Sequence, residues 1–332
     1  MWFENLTGFK EESPANVREK ILVEGDTLLS TVNHRRFTFG QLEVLSLEEL
    51  RQSSPPLSAY RGKLLLSEVV GDVQAMHAQA ANAHALFQAA SQFNLLEMIG
   101  PNVTPERGID RYEEDFTQGP ACAIACGAGT IYRNYFVRVG EQIGQSADKQ
   151  IDCLAGIGRE LDNENLHLWS MKNGYALANE QGLLTINKKL SALSHAQRED
   201  LKGKLQVGVQ WNTEVTLNDG QQKVSQIYCS ALPVAYSQVE PMYWERFARI
   251  VLEATYEATF FAAVRNLESH GSNVLYLTLV GGGAFGNEVD WILESLEKAA
   301  SKFREVPLDV RIVSYGKPNP RLGPFINALT EK

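Results

Sequence analysis

The sequence predicts an α/β protein, a layered domain built around a partly parallel sheet. Helix-like and strand-like segments alternate along the chain, which is the pattern that produces such layers. The continuous apolar run NVLYLTLV, which begins at residue 273, indicates a strand buried on both faces. Residues 242–268 repeat apolar side chains at helical spacing and predict a long core helix. The 332 residues, 44% of them hydrophobic and 21% charged, have an ordinary globular composition.

The beginning of the chain, residues 1–58, predicts an N-terminal extension to the main domain. Its stretch FTFGQLEVLSLEELR predicts a short strand followed by a helix. The Ser-Pro-Pro cluster within RQSSPPLSAYRG indicates a boundary or an exposed loop. We therefore place the main domain at residues 59–325.

The first part of the main domain predicts two strands, a long loop and a helix. The run KLLLSEVV is a strand candidate that ends at Gly71 and Asp72. The stretch VQAMHAQAANA has helical character, and HALFQAASQFN predicts a mostly apolar strand with a polar end. The next stretch, IGPNVTPERGIDRYEEDFTQGP, is a loop of a length that is usually functional or flexible. Residues 120–136 predict a helix with Pro120 in its first turn.

The rest of the chain predicts a strand-rich middle and a closing strand, helix and strand. The strand candidates of the middle part are HLWSMKN, GLLTINKKL, LQVGVQWNTEVTL and KVSQIYCSALPVAY. Between the second and third of these, SHAQREDLKGKL predicts an amphipathic helix capped by Ser194. After the strand NVLYLTLV, the stretch EVDWILESLEKAASKF predicts a helix, and VPLDVRIVSYG predicts the last strand.

Charge and composition exclude several classes of function. A net charge of −9 disfavours nucleic-acid binding, which needs a basic face. No apolar run approaches the roughly 20 residues of a membrane-spanning helix. The N-terminus lacks a secretory signal, so we expect a cytoplasmic protein that binds neither nucleic acid nor membrane. Cys122 and Cys126 indicate small core residues, because no second Cys or His pair has ligand spacing, and no metal site is expected.

The stretch VGGGAFGNEVDW, residues 280–291, joins a predicted strand to a predicted helix through four glycines. Free N–H groups at a helix start bind anions, and glycines let a phosphate approach the backbone. A purely structural turn is the alternative, with Asn287 as helix cap and Asp290 at the third helical position. A P-loop is excluded because Asn287 and Glu288 stand where Lys and Ser or Thr are required.

The same glycines also match the dinucleotide pattern GxGxxG, at Gly281, Gly283 and Gly286. That pattern requires an acidic residue at the end of the next strand, about 20 positions on. Here the next strand ends in Ser-Tyr-Gly-Lys, and the chain is nearly finished. A NAD-dependent oxidoreductase is therefore only a weaker alternative.

Two further predicted strand ends carry candidate ligand-binding residues. Asp72, which precedes Val73, has a carboxylate that could accept a hydrogen bond from an exocyclic amine. Gln92, Phe93 and Asn94 form the polar end of the next strand and could meet a ribose. Phe93 could flank a sugar or base together with Phe285 of the glycine turn. The structural alternatives are a turn or helix cap for Asp72 and a core position for the aromatic residues.

The order of these motifs resembles the macrodomain superfamily. Gly71-Asp72-Val73 resembles the GDI segment of that family, and FQAAS resembles its VNAAN segment. The turn GGGAFGN is closest in wording to the GCGAFGG loop of poly(ADP-ribose) glycohydrolases, and the chain also resembles MavL-like ADP-ribosyl-arginine hydrolases. The resemblance covers roughly residues 60–320 and implies a three-layer α/β/α mixed sheet with helices on both faces.

The resemblance implies a site for ADP-ribose, with the adenine amine at the first strand end and the pyrophosphate in the glycine turn. No cofactor is expected, since ADP-ribose is itself the ligand or product. The implied ligand-binding residues are Asp72, Val73, Gln92, Phe93, Asn94, Gly281, Gly282, Gly283, Ala284, Phe285, Gly286 and Asn287.

Cleavage of the bond at C1″ of ADP-ribose develops oxocarbenium-like charge and needs a nearby carboxylate. The candidate catalytic residues are Asp115 and Asp290, followed by Glu288 and Glu114. We therefore expect a hydrolase that removes ADP-ribose from a modified protein, with an arginine-modified or ubiquitin-like target as candidate partner. The alternative is a reader that binds ADP-ribose without cleaving it. For these acids the structural alternatives are favourable charge at a helix start and a solvated loop.

Overall fold

The computed structural model describes residues 1–217, 220 and 222–330. The helices are α1 (Trp2–Thr7), α2 (Pro14–Lys20), α3 (Leu47–Ser53), α4 (Val73–His77), α5 (Gln118–Ala125), α6 (Gly127–Tyr135), α7 (Ala155–Glu160), α8 (Glu180–Ala192), α9 (His195–Gly203), α10 (Pro241–His270), α11 (Val289–Lys302) and α12 (Leu322–Thr330). The strands are β1 (Ile21–Glu24), β2 (Thr27–Ser30), β3 (Arg36–Thr38), β4 (Gln41–Ser46), β5 (Leu65–Val70), β6 (Leu86–Ala90), β7 (Arg138–Val139), β8 (Gln142–Ile143), β9 (Trp169–Lys172), β10 (Tyr175–Ala178), β11 (Gln206–Glu214), β12 (Lys223–Cys229), β13 (Val274–Leu277) and β14 (Asp309–Ser314).

The largest sheet among the described residues has seven strands in the order β4-β11-β12-β6-β13-β14-β5. The strands from β12 to β5 pair in parallel, whereas β4 and β11 are antiparallel to their neighbours. The parallel strands therefore all end at one edge of the sheet, which is where ligands bind in open α/β sheets.

Helices cover both faces of this sheet, as two adjacent residues of β6 show. The ring of Phe87 stacks on His77 of α4, with ring centres 3.7 Å apart. The side chain of Gln88 points the other way and donates to Thr259 of α10 at 2.9 Å. Successive side chains of a strand point to opposite faces, so α4 and α10 lie on opposite sides of the sheet. The predicted α/β class with helices on both faces of a mixed sheet is thereby confirmed.

The long helix α10 confirms the prediction for residues 242–268 and extends it slightly at both ends. It packs against α3, α8, α9 and α11 and thus forms the centre of one helical layer. It ends at Gly271, whose φ of 73° is the left-handed conformation that commonly terminates helices. No helix of the described chain is long and apolar enough to cross a membrane.

Two predicted elements differ from the structure. GLLTINKKL forms part of helix α8, because Leu183, Ile186 and Leu190 are buried at helical spacing. Asn179 caps that helix by accepting the N–H of Gly182 at 2.8 Å. The single helix predicted at residues 120–136 is two helices, α5 and α6, which meet at Cys126 with a non-helical ψ of 62°.

The N-terminal residues are built into the sheet and into a second apolar core. Strand β4 pairs with β11, so the sheet extends across the predicted boundary at residue 58. Phe3, Val17 and Phe37 are fully buried against the 96–135 region, where Ile131 belongs to the same cluster. The N-terminal segment therefore supports the chain that follows β6, and that chain leads into the candidate site.

Candidate functional site

Two adjoining cavities lie at the edge where the parallel strands end. The first cavity, about 360 Å³, is lined by residues that follow β6, β12 and β13 and by the start of α5. The second cavity, about 500 Å³, is lined by residues that follow β5 and β14 and by α1. Both are lined by Asp115, Phe116, Thr117, Gln118, Thr278 and Tyr315, so the two cavities share a wall, and we refer to them together as the groove. An extended ligand could occupy both.

The glycine turn, residues 281–287, forms one wall of the first cavity. Gly281 and Gly286 have φ of 78° and 70°, a conformation that residues with a Cβ rarely adopt. A Cβ at Gly281 would also stand 2.4 Å from the Cβ of Ala231. The turn is closed by the N–H of Asn287, which donates to the carbonyl oxygen of Gly281 at 2.9 Å. At least two of the four glycines are thus required by the backbone path.

Four backbone N–H groups of this turn are available to a ligand. The N–H groups of Gly286 and Asn287 are used inside the turn, and that of Gly282 donates to the carbonyl oxygen of Leu279, just before the turn. Those of Gly281, Gly283, Ala284 and Phe285 donate to no acceptor within the described part of the chain. The same four residues line the first cavity. Successive free N–H groups around a concave turn bind anions.

Asn287 does not cap helix α11, in contrast to the expectation from its position. The cap position is Glu288, and no side chain bonds the first turn of that helix. The Asn287 side chain is buried and donates to the carbonyl oxygens of Leu232, at 2.8 Å, and Gly281, at 3.2 Å. Because the amide points inward to neighbouring loops, it fixes the shape of the turn and leaves the helix start uncapped.

The start of helix α5 adds two further free donors to the first cavity. The N–H groups of Gln118 and Gly119 have no acceptor among the residues described, and both residues line this cavity. The Gln118 side chain joins α5 to the end of β6 by donating to the Gln88 carbonyl oxygen, at 2.7 Å, and accepting from the Ala90 N–H, at 2.9 Å. A Cβ at Gly119 would lie 2.0 Å from the Ala90 carbonyl oxygen. Only glycine permits this close contact.

Glu97 is a cavity residue that the sequence analysis did not single out. It lines the first cavity, yet it is only 3% exposed, and neither of its carboxyl oxygens has a hydrogen-bond partner. Burial raises the pKa of Glu97 to about 8, against the lowering influence of Arg133. The raised pKa favours the protonated form of Glu97 near neutral pH. A lone acid within the apolar run LLEMI was the available signal.

Asp115, a candidate catalytic residue from the sequence, lies at the junction of the two cavities, which it lines on both sides. Its Oδ1 accepts the N–H of Thr117 at 2.9 Å. Its negative charge is close enough to contribute to the raised pKa of Glu97. Its neighbour Glu113 lines the second cavity and accepts the N–H of Trp2 at 2.8 Å, whereas Glu114 is exposed and lines neither.

The other two acids predicted from the sequence lie outside the groove. Asp290 forms an ion pair with Arg321 on the surface, and its side chain is 66% exposed. Glu288 is exposed at the beginning of α11. Neither lines the first or the second cavity. The structure therefore brings Asp115 together with Glu97, and it does not bring Asp290 or Glu288 to them.

Of the candidate nucleoside-binding residues too, some line the cavities and others do not. Asp72 and Val73 line the second cavity, where Asp72 also caps α4 by accepting the N–H of Gln74 at 2.8 Å. Gln92 lines the first cavity, and its Oε1 accepts the N–H of Met98 at 2.8 Å.

Phe93 and Asn94 are buried behind the cavities, so they face the core. The amide of Asn94 donates to Gln150 Oε1 at 2.8 Å and accepts the N–H of Leu96 at 3.1 Å. Phe285 does line the first cavity, with its ring centre 5.3 Å from that of Tyr175. Of the two aromatic residues expected at the ligand, the structure places only Phe285 in the groove.

The chain that carries Asp115 is held in place by a buried carboxyl group of the N-terminal segment. Oε2 of Glu11 accepts the N–H groups of Ile109, at 2.8 Å, and Asp110, at 2.7 Å. Its other oxygen accepts the hydroxyl of Tyr135. Burial raises the pKa of Glu11 to about 7. The N-terminal segment thus positions one side of the groove.

No lysine, arginine or histidine of the described chain lines either cavity. The described residues also contain no group of three or more His, Cys, Asp or Glu placed to bind a metal ion. An anion in the first cavity would therefore be held by backbone N–H groups and neutral side chains, and Glu97 and Asp115 are the carboxyl groups that line it.

No protein-family model matches the sequence, and no curated protein matches it. Among solved structures, the chain is similar to the poly(ADP-ribose) glycohydrolase of Deinococcus radiodurans in complex with ADP-ribose, at 13% identity and a TM-score of 0.42, covering 87% of this chain and 93% of that one. It is also similar to the Thermomonospora curvata enzyme bound to the inhibitor ADP-HPD, at 11% identity and a TM-score of 0.44, covering 96% and 97%. With identities and TM-scores this low, the similarity carries no functional argument.

Proposed function

We propose that this protein is a glycosidic-bond hydrolase that releases ADP-ribose from a modified protein. The observation that supports this most is that two features occur together in the first cavity. One wall offers four unpaired N–H groups suited to a pyrophosphate, and the other carries two carboxyl groups, Glu97 and Asp115. Anion binding without cationic side chains, beside acids, suits a phosphate-bearing sugar whose bond is to be hydrolysed.

The groove also accommodates the rest of an ADP-ribose molecule. The pyrophosphate would lie against the glycine turn and the start of α5, and the distal ribose beside Glu97 and Asp115. The adenosine would extend into the second cavity, where the carboxylate of Asp72 is an acceptor for the adenine amine. The two cavities share their central lining residues, so one ligand could span them.

In this arrangement Asp115 would act as the base that activates water. It lies at the junction of the cavities, where a water could approach C1″ of the distal ribose. A carboxylate near the forming oxocarbenium ion also stabilises its positive charge. For the target we propose an ADP-ribosylated protein side chain, with arginine as the first linkage to test because of the resemblance to ADP-ribosyl-arginine hydrolases.

The experiment combines binding and turnover. Isothermal titration with ADP-ribose, NAD and ATP should give the highest affinity for ADP-ribose, and incubation with arginine-, serine- and glutamate-linked ADP-ribosyl peptides should release it. Binding of ADP-ribose without release from any peptide would indicate a non-catalytic reader. Preferential binding of NAD would contradict the proposal and favour an oxidoreductase.

A further inference from the structure

We propose that the Glu97 carboxyl group is the proton donor for the leaving group. This inference rests on the proposed function and adds to it a second catalytic residue. No other buried acid combines a position in the first cavity with two unpartnered carboxyl oxygens among the described residues. In this proposal the buried Glu97 serves the leaving-group side of the reaction, and Asp115, which lines both cavities, serves the water side.

The surroundings of Glu97 differ from those of a structural buried acid. Buried carboxyl groups are ordinarily satisfied by donors, since an unsatisfied one costs about 1–3 kcal/mol. Neither carboxyl oxygen of Glu97 has a donor at hydrogen-bond geometry. The hydroxyl of Tyr112, which accepts the Glu97 N–H at 2.9 Å, lies close enough to lower the pKa of the carboxyl group, but burial outweighs it. An unsatisfied buried carboxyl group in a native structure calls for an explanation, and a catalytic role at the cavity that Glu97 lines is one.

The nearest cation does not neutralise Glu97 by direct contact. Arg133 is fully buried and donates to the Leu95 carbonyl oxygen, at 3.1 Å, and to Thr130 Oγ1, at 3.1 Å. Its guanidinium also lies over the ring of Tyr228, 3.5 Å from the centre. Arg133 and Glu97 form no ion pair, and burial therefore dominates the pKa of Glu97, which rises to about 8. The proton needed for donation is present at neutral pH.

The proposed reaction balances with water as the only co-reactant. Glu97 transfers its proton to the leaving atom while the bond between that atom and C1″ breaks, and the electron pair of the bond goes to the leaving atom. Water adds to C1″ and gives one proton to Asp115. Proton exchange with solvent then restores the acid form of Glu97 and the carboxylate of Asp115.

This role makes a prediction about leaving groups. An alkoxide or a deprotonated guanidine is a poor leaving group and needs the proton, whereas 4-nitrophenolate leaves without it. Replacing a general acid should therefore slow the cleavage of alkoxide- and guanidine-linked substrates by about 10²- to 10⁴-fold and barely affect the cleavage of the 4-nitrophenol substrate. A residue that acts only through the fold would slow both kinds equally.

The experiment compares wild type with Glu97→Gln on ADP-ribose carrying arginine, serine or 4-nitrophenol at C1″. We expect a large loss of kcat for arginine and serine and less than about a tenfold loss for 4-nitrophenol. Glu214→Gln is the matched control. Glu214 is a partly buried glutamate at the end of β11 whose pKa is also raised by burial, and it lines neither cavity. It should behave like wild type with every substrate.

The outcomes separate the two proposals. Equal losses on all three substrates, or no loss on any, would overturn the role of Glu97 and leave the proposed function standing. If wild type cleaves none of the three, the role of Glu97 is wrong, and if it also releases nothing from glutamate-linked peptides, the proposed function is wrong as well. Should Glu97→Gln fail to fold, the wild-type pH profile decides. The rate of cleavage of the arginine substrate should fall above about pH 8, where Glu97 loses its proton. The rate for the 4-nitrophenol substrate should show no such decline.

Discussion

The two walls of the first cavity offer opposite chemistry. The wall formed by residues 281–287 has hydrogen-bond donors without formal charge, and its shape depends on glycine backbone conformations. The wall formed by residues 95–119 has acids, one buried and one at the cavity junction. The first wall suits binding of an anion, and the second suits proton transfer. Binding and turnover should therefore be separable by substitution.

The largest effect is expected for Asp115→Asn, which removes the proposed base and preserves its size. We expect kcat to fall by about 10²- to 10⁴-fold, because an amide cannot accept the proton from water. The affinity for ADP-ribose, measured by calorimetry, should change little. A loss of affinity as large as the loss of kcat would show that the two walls do not act separately.

The next largest effect is expected for Gly281→Ala in the opposite wall. The new Cβ would meet Ala231, and a left-handed φ of 78° costs an ordinary residue about 1–2 kcal/mol. We expect the affinity for ADP-ribose to fall by at least about tenfold, the equivalent of 1.4 kcal/mol. Gly271→Ala is the matched control, because Gly271 has a similar left-handed φ of 73° and lines neither cavity. If both variants bind equally well, backbone strain does not shape the site.

A smaller effect on turnover is expected when the support of the acidic wall is altered. Glu11→Ala removes the acceptor of the Ile109 and Asp110 N–H groups and should lower kcat by about tenfold through misplacement of Asp115. Glu11→Gln should restore most of the activity, since its amide oxygen can accept the same two N–H groups. Equal activity of Glu11→Ala and wild type would show that the support is unnecessary.

Glu11 also makes stability depend on pH. Its pKa is about 7 in the folded protein and 4.5 for an unperturbed glutamate, so the folded state holds a proton that the unfolded state releases between these values. This contribution to stability is present below pH 4.5 and is lost as pH rises through 7, up to roughly 3 kcal/mol in total. Denaturant unfolding at pH 5 and pH 8 should therefore show a smaller pH-dependent loss for Glu11→Gln than for wild type. An identical loss would contradict the raised pKa.

The smallest effect is expected for Phe116→Ala. Phe116 lines both cavities, but its side chain is 93% exposed and contributes little to the core. Removal should weaken ADP-ribose binding only several-fold, since one exposed aromatic contact contributes about 1 kcal/mol. Unfolding midpoints should not change. A loss of binding as large as that of Gly281→Ala would instead make Phe116 a principal contact of the ligand.

Sequence reasoning located the glycine wall because its signal is local. Strand, turn and helix follow one another within about twenty residues, and the glycines mark the turn directly. It did not find Glu97, because the burial of a loop residue depends on residues far away in the sequence. Here these are α5, Tyr112 and Arg133. Asn94 was expected at a ribose because its place after a strand can be read from the sequence, whereas the direction of its side chain cannot. Its position after β6 was right, but its side chain faces Gln150 in the core.

The absence of cations from both cavities of the described chain affects how a ligand arrives as well as how it is held. ADP-ribose carries two negative charges on its pyrophosphate, and the chain carries a net charge of −9. Long-range repulsion should slow their encounter, whereas the N–H dipoles act only after contact. Salt screens the repulsion over a length of about 8 Å at physiological ionic strength. Added salt should therefore accelerate association, the reverse of the behaviour of sites lined by lysine and arginine.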